Sequence, residues 1–157
     1  LTIYEGTTAI QANDFVGRKL ARDRGAALAA MLDEVKRDLS SSEASATRDA
    51  ALEAVAALEV AARSVLQSWS QAPERALAVA VPLLRLTGLV LGGWLLAKSA
   101  AIAARQLAAG SADTEFLRGK IATAHFYATH ALPGAAGLSR VVVEGAASVI
   151  DTDAALV

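Results

Sequence analysis

Residues 73–109 form a stretch that is apolar almost all round, and it constrains the fold more than any other part of the chain. A helix without a polar stripe has to be covered on several sides, so this segment belongs at the centre of a helical assembly. Ser70-Gln71-Ala72 breaks the pattern before it, and Pro73 suits a first helical turn, where a missing amide costs nothing. Gly110-Ser111-Ala112-Asp113 ends it, with Asp113 placed to cap the next helix. Inside, Pro82 is expected to kink or interrupt the helix, and Gly92-Gly93 to let another backbone approach closely. Its most apolar window, residues 86–97 between Arg85 and Lys98, is shorter than the roughly 18 residues of a membrane span. A buried central helix is expected, not a transmembrane one.

The segments around it carry one-sided patterns. Leu28, Met31, Leu32, Val35 and Leu39 fall on one helical face, and Leu58, Ala62, Val65, Leu66 and Trp69 repeat it further on. Ser40 and Glu43 have capping-box spacing, which predicts a helix start there. A first helix is expected from Thr7, with Ile10, Phe15, Val16 and Leu20 as its stripe and Gly25 as its stop. After Asp113 come Leu117, Ile121, Ala124 and Ala128 on one face, with Phe116, Phe126 and Tyr127 nearby. Following the Leu132-Pro133-Gly134 turn, Leu138, Val141, Val142, Gly145 and Val149 share a register, and residues 151–157 are expected to fray. The hydrophobic fraction is 54 % with only 4 % aromatic, alanine supplies much of it, and prolines number 3. All this predicts an all-α fold, an up-down bundle of about six helices, with a composition shift near residue 40 dividing 1–39 from 40–157.

Several function classes find no support. A formal net charge of −1, with acids and bases interspersed, offers nucleic acid no electrostatic footprint. The absence of cysteine removes disulfides, thiol catalysis and thiolate metal sites, and fits a reducing compartment. Residues 1–25 lack the basic start and apolar run of a signal peptide, so a cytoplasmic location is expected. His125 and His130 are five apart, where a helical metal pair favours four, and no local carboxylate joins them. There is no G-x-S-x-G elbow. No glycine cluster follows a strand, so close helix packing explains the glycines better than a phosphate loop. Trp69 and Trp94 lie on apolar faces and read as core or interface anchors.

One acid stands apart. Glu5 precedes the Gly6-Thr7-Thr8 step into the first helix. It can be a carboxylate stabilised by the helix dipole, worth a few tenths to about 1 kcal/mol. It can also be a base on a tight turn beside backbone amides that polarise a carbonyl or approach an anionic cofactor.

Tyr4-Glu5-Gly6-Thr7 followed by Ile10-Gln11 resembles the signature of the acyl-CoA dehydrogenase family, near the end of its C-terminal helical domain. Asp14-Phe15-Val16-Gly17-Arg18-Lys19-Leu20 is similar to a run in the family's long bacterial branch. That branch carries an extra C-terminal helical extension and includes enzymes for long-chain and 3-methylmercaptopropionyl thioesters. Gly92-Gly93-Trp94-Leu95-Leu96-Ala97, the KIATAHFY run at 120–127 and Thr129-His130-Ala131-Leu132-Pro133 agree with the extension more loosely, in the expected order.

The resemblance implies that Glu5 removes the α-proton of an acyl-CoA and that FAD accepts the β-hydride, leaving a trans-2-enoyl-CoA. It implies that Gly6 lies beside the substrate and that Thr7, Thr8 and Ala9 contact FAD. Ala9 stands where the family often has Gln or Gly, which leaves a backbone contact there. An electron-transfer flavoprotein and a homodimeric or homotetrameric assembly are implied as partners. On this reading residues 1–39 end the catalytic helical domain, residues 40–157 form an accessory bundle, and the isolated chain is inactive. The competing expectation is a non-enzymatic helical module for docking or oligomerisation, since fold alone does not fix function.

Overall fold

The computed structural model describes residues 7–152, and among these every regular element is helical. Helix α1 (Thr8–Asp14) runs into a π-helical segment (Phe15–Leu20), followed by α2 (Ala26–Ser40), α3 (Ala46–Gln71), α4 (Pro73–Ala78), α5 (Ala80–Ala108), α6 (Thr114–His130), α7 (Gly134–Glu144) and α8 (Ala146–Ile150). The expected all-α bundle is found, with eight α-helices among the described residues in place of about six. Two of the expected helices are each divided. Pro82 sits in the first turn of α5 and has no amide for the carbonyl of residue 78, so the helix breaks at Val79. At the other site, Gly145, the weakest non-proline helix former, separates α7 from α8.

Helix α5 is the axis. It packs against α1, α2, α3, α6 and α7, and Leu83, Leu86 and Val90 are fully enclosed. Its 29 residues are long and apolar enough by length and composition to cross a membrane, more than the 86–97 window suggested. In the fold it occupies the central position that its nearly uniform apolar surface requires. The Gly92-Gly93 step admits side chains where a backbone was expected. A Cβ at Gly92 would stand 2.7 Å from the Tyr127 hydroxyl, and one at Gly93 would stand 2.7 Å from Leu132 Cδ2. Tyr127 donates to the Leu89 carbonyl at 3.1 Å, which ties α6 to α5.

The α2 and α3 stripes face inward as expected, with Leu32, Val35, Leu39, Leu58 and Val65 buried. Ser139 on α7 donates to the Ala57 carbonyl at 2.9 Å, joining α7 to α3. Buried residues from α1 through α7 form one hydrophobic cluster.

Four local expectations are corrected. Helix α2 continues through Ser40, and α3 starts after Ser45, whose hydroxyl accepts from the Arg48 amide at 3.2 Å; the capping box at Ser40 and Glu43 is not used. Ile10 is 61 % exposed, and the buried row is Ala12, Val16 and Leu20. Ala12, Val16 and Leu20 recur every four residues along one face, and Ile10, two residues before Ala12, falls on the opposite side of α1. On α7 the inward row is Ala135, Ser139 and Val142; Val141, one residue and about 100° round the helix from Val142, is exposed, as is Val149 on α8. Asp113 holds the N-cap position of α6, but its side chain makes no capping bond. At the chain's end Asp151 pairs with Arg75 of α4, so the described part of the tail is tied down. Residues 153–157 lie outside the described part.

Candidate functional site at the start of the first helix

The turn into α1 is where the candidate residues cluster. Glu5 and Gly6 lie outside the described residues. Thr7, Thr8 and Ala9 lie inside them and are all exposed. Thr7 is extended (φ −73°, ψ 152°), and its hydroxyl accepts from the Ile10 amide at 3.3 Å, the N-cap role read from sequence. The helical ladder begins with the bond from Gln11 N to the Thr7 carbonyl at 3.2 Å. The amides of Thr8 and Ala9 therefore precede the ladder, at the positive end of the helix dipole.

Residues 7–11 at this end are exposed. The residues present are compatible with the implied FAD contact: Thr7, Thr8 and Ala9 are exposed, the amides of Thr8 and Ala9 precede the helical ladder, and the Thr7 hydroxyl is engaged as the cap. Behind the turn, Ala12, Val16 and Leu20 are buried, and Asp14 pairs with Arg18 at 2.9 Å. Thus one end of the segment is fixed in the core and the other is presented outward.

Elsewhere the chemistry is sparse. Among the described residues no group of three or more His, Cys, Asp or Glu is placed to hold a metal. His125 and His130 are exposed; His130 stacks on Phe126, with ring centroids 4.3 Å apart. Both tryptophans pack against the core, as expected of anchors.

Two features escaped the sequence reading. The first is a cavity of about 510 Å³ between the α2–α3 connection, α5 and α6. Its walls include Leu39, Ala101, Ala104 and Ile121, with Arg48 and Arg105 among the polar lining residues. The second joins α2 to α5: Asp38 Oδ2 accepts from Lys98 Nζ at 2.6 Å and from Trp94 Nε1 at 3.1 Å. The Lys98 bond, foremost, holds the Asp38 carboxyl below its ordinary value; burial opposes it, and the Trp94 bond adds to the lowering. No sequence signal links residues 60 positions apart in this way.

The described residues form an all-helical bundle, and comparison with known proteins supplies its family. Residues 18–153 match the family described as acetyl-CoA dehydrogenase C-terminal like, and the chain belongs to it. The matched span opens at Arg18, so it covers most of the bundle and leaves out Glu5, Gly6, Thr7, Thr8 and Ala9. Among curated relatives, the chain is 46 % identical over 137 residues to a 3-methylmercaptopropionyl-CoA dehydrogenase of Ruegeria pomeroyi, covering 84 % of this chain and 23 % of that protein. It is 35 % identical over 144 residues to the broad-specificity linear acyl-CoA dehydrogenase FadE5 of Mycobacterium tuberculosis, covering 84 % of this chain and 24 % of the relative. A butyryl-CoA dehydrogenase of Syntrophomonas wolfei is 28 % identical over 160 residues, covering 96 % of this chain and 26 % of the relative. The chain thus spans about a quarter of the length of these relatives.

Proposed function

We propose that this chain is the C-terminal piece of an FAD-dependent acyl-CoA dehydrogenase of the long bacterial branch, an oxidoreductase that converts an acyl-CoA to a trans-2-enoyl-CoA. The observation that carries the reading is the 46 % identity, over 84 % of the chain, to a protein named as a 3-methylmercaptopropionyl-CoA dehydrogenase. Residues 1–39 then close the catalytic helical domain, and residues 40–157 form an accessory bundle that supports it.

In this reading Glu5 takes the α-proton onto its carboxylate. Its backbone amide donates to the thioester oxygen, which stabilises the enolate-like charge that develops as the proton leaves. Gly6 lets the thioester approach, and Thr7, Thr8 and Ala9 hold the flavin edge through the open end of α1. When bound, FAD supplies the acceptor for the β-hydride. Its electron-accepting partner in this reading is an electron-transfer flavoprotein, the enzyme is a homodimer or homotetramer, and it works in the cytoplasm.

The test uses the full-length protein that carries this chain, loaded with FAD and given a series of acyl-CoA thioesters and an artificial electron acceptor. Enoyl-CoA formation is expected. No turnover with any thioester, from a protein that retains its flavin, would overturn the reading and favour a docking or oligomerisation module. The isolated 157-residue chain, given FAD and acyl-CoA, is expected to show no turnover.

A further inference from the structure

Helix α5 packs against five neighbours, yet one row along it is not enclosed. Leu95 is 56 % exposed and Ile102 40 %, while Leu84 and Leu91 are half-buried. Between them, a Cβ at Gly88 would meet no atom within 4 Å.

The row has a register. Positions 84, 88, 91, 95 and 102 follow the alternating steps of four and three residues that keep one line of side chains facing a partner helix. Lys98 takes the remaining place in the sequence of steps, and Asp38 on α2 holds its ammonium at 2.6 Å. At about 100° per residue the five positions stay within an arc of about 60°, and they run for about 27 Å along the helix. So narrow a stripe is the seam of a helix pair. A bilayer surface takes a broad apolar face instead.

Charge selects the partner. Helix α5 carries Arg85, Lys98 and Arg105 and neither Asp nor Glu. A second copy of α5 laid along the first would set cation against cation. A helix with acids beside its apolar seam would instead pair with Arg85 and Arg105, both exposed. The chain spans about a quarter of the length of its curated relatives, so a longer polypeptide of that kind has ample sequence to supply one.

We propose that this row of α5 is the docking face for an acidic amphipathic helix from the remainder of the same polypeptide. The inference rests on the chain being a piece of a longer protein, as proposed above. Leu95 and Ile102 enter the apolar seam of the docked helix, and Arg85 and Arg105 face its acids.

The test uses the full-length protein with Leu95→Cys, and follows alkylation of the peptide that bears the new thiol by mass spectrometry. The native protein is expected to react about tenfold or more slower than the urea-unfolded protein. Adding Arg85→Gln and Arg105→Gln is expected to recover most of that rate. A photo-reactive residue in place of Ile102 is expected to capture a peptide from upstream of this chain in the same molecule, with Asp or Glu beside apolar residues at heptad spacing. Native and unfolded rates within about twofold of each other would overturn the docking face. So would capture of a second copy, or protection that appears only with anionic vesicles. Protection unchanged by the two arginine substitutions would overturn the acidic partner. These readouts do not depend on turnover. An active enzyme with an unprotected thiol loses the docking face alone, and a protected thiol in a protein without turnover keeps it while the proposed activity falls.

Discussion

Two glycines on the central helix, four residues apart, are expected to respond to the same substitution with opposite signs. A Cβ at Gly88 would meet no atom within 4 Å, so Gly88→Ala is expected to stabilise the chain by roughly 0.8–1.0 kcal/mol through helix propensity alone. Gly92→Ala gains the same amount but drives its methyl group to within 2.7 Å of the Tyr127 hydroxyl. That oxygen must move, and its bond to the Leu89 carbonyl at 3.1 Å goes with it. A lost hydrogen bond costs about 0.5–1.5 kcal/mol and local overpacking about 1–3, so the net change is a destabilisation of about 2 kcal/mol. The assay is equilibrium urea unfolding of the 157-residue chain, with the slope checked for constancy. Tyr127→Phe deletes the clashing oxygen, so Gly92→Ala is expected to be much less harmful in that background. Gly92→Ala stabilising the chain as much as Gly88→Ala would refute the reasoning.

The cap of α3 gives a second test. Ser45→Ala is expected to cost about 1 kcal/mol in the same unfolding assay, whereas Ser40→Ala stays within about 0.5; the reverse order would restore the capping box at Ser40 and Glu43. A third concerns acid. The folded Asp38 carboxyl titrates below its ordinary value of 3.8, chiefly because Lys98 donates to it. Its contribution to stability is therefore present above that value and is lost as pH falls through the depressed folded value. Asp38→Asn is expected to flatten this part of the acid-unfolding profile, followed by the fluorescence of Trp94, whose indole bonds to the same oxygen; a profile identical to wild type would count against the linkage.

The larger part of the fold was legible because helical periodicity and helix breakers are local signals. The Leu28 to Leu39 stripe, the central segment and the turn at Leu132-Pro133-Gly134 all depend on residues close in sequence. The misplaced features depend on partners far away or on alternative local bonding. Ser40 and Ser45 both have cap-forming side chains, and the choice falls to Ser45 because α2 extends through Ser40. Ile10 lay on the expected stripe by residue type, but the face that meets the core is marked by the small Ala12 with Val16 and Leu20. Asp38, Trp94 and Lys98 meet only once α2 lies on α5. The Thr7 cap was readable from residue type, while the cavity between the α2–α3 connection, α5 and α6 was not, because its walls come from segments far apart in sequence.

The most direct test of the central claim is turnover by the full-length, FAD-loaded protein bearing Glu5→Gln. The substitution keeps the shape of the side chain and its backbone amide but removes the base. Loss of the base is expected to lower kcat by about 10²–10⁴-fold while flavin content and acyl-CoA binding are retained. Turnover equal to wild type would contradict the assignment of Glu5 as the proton acceptor.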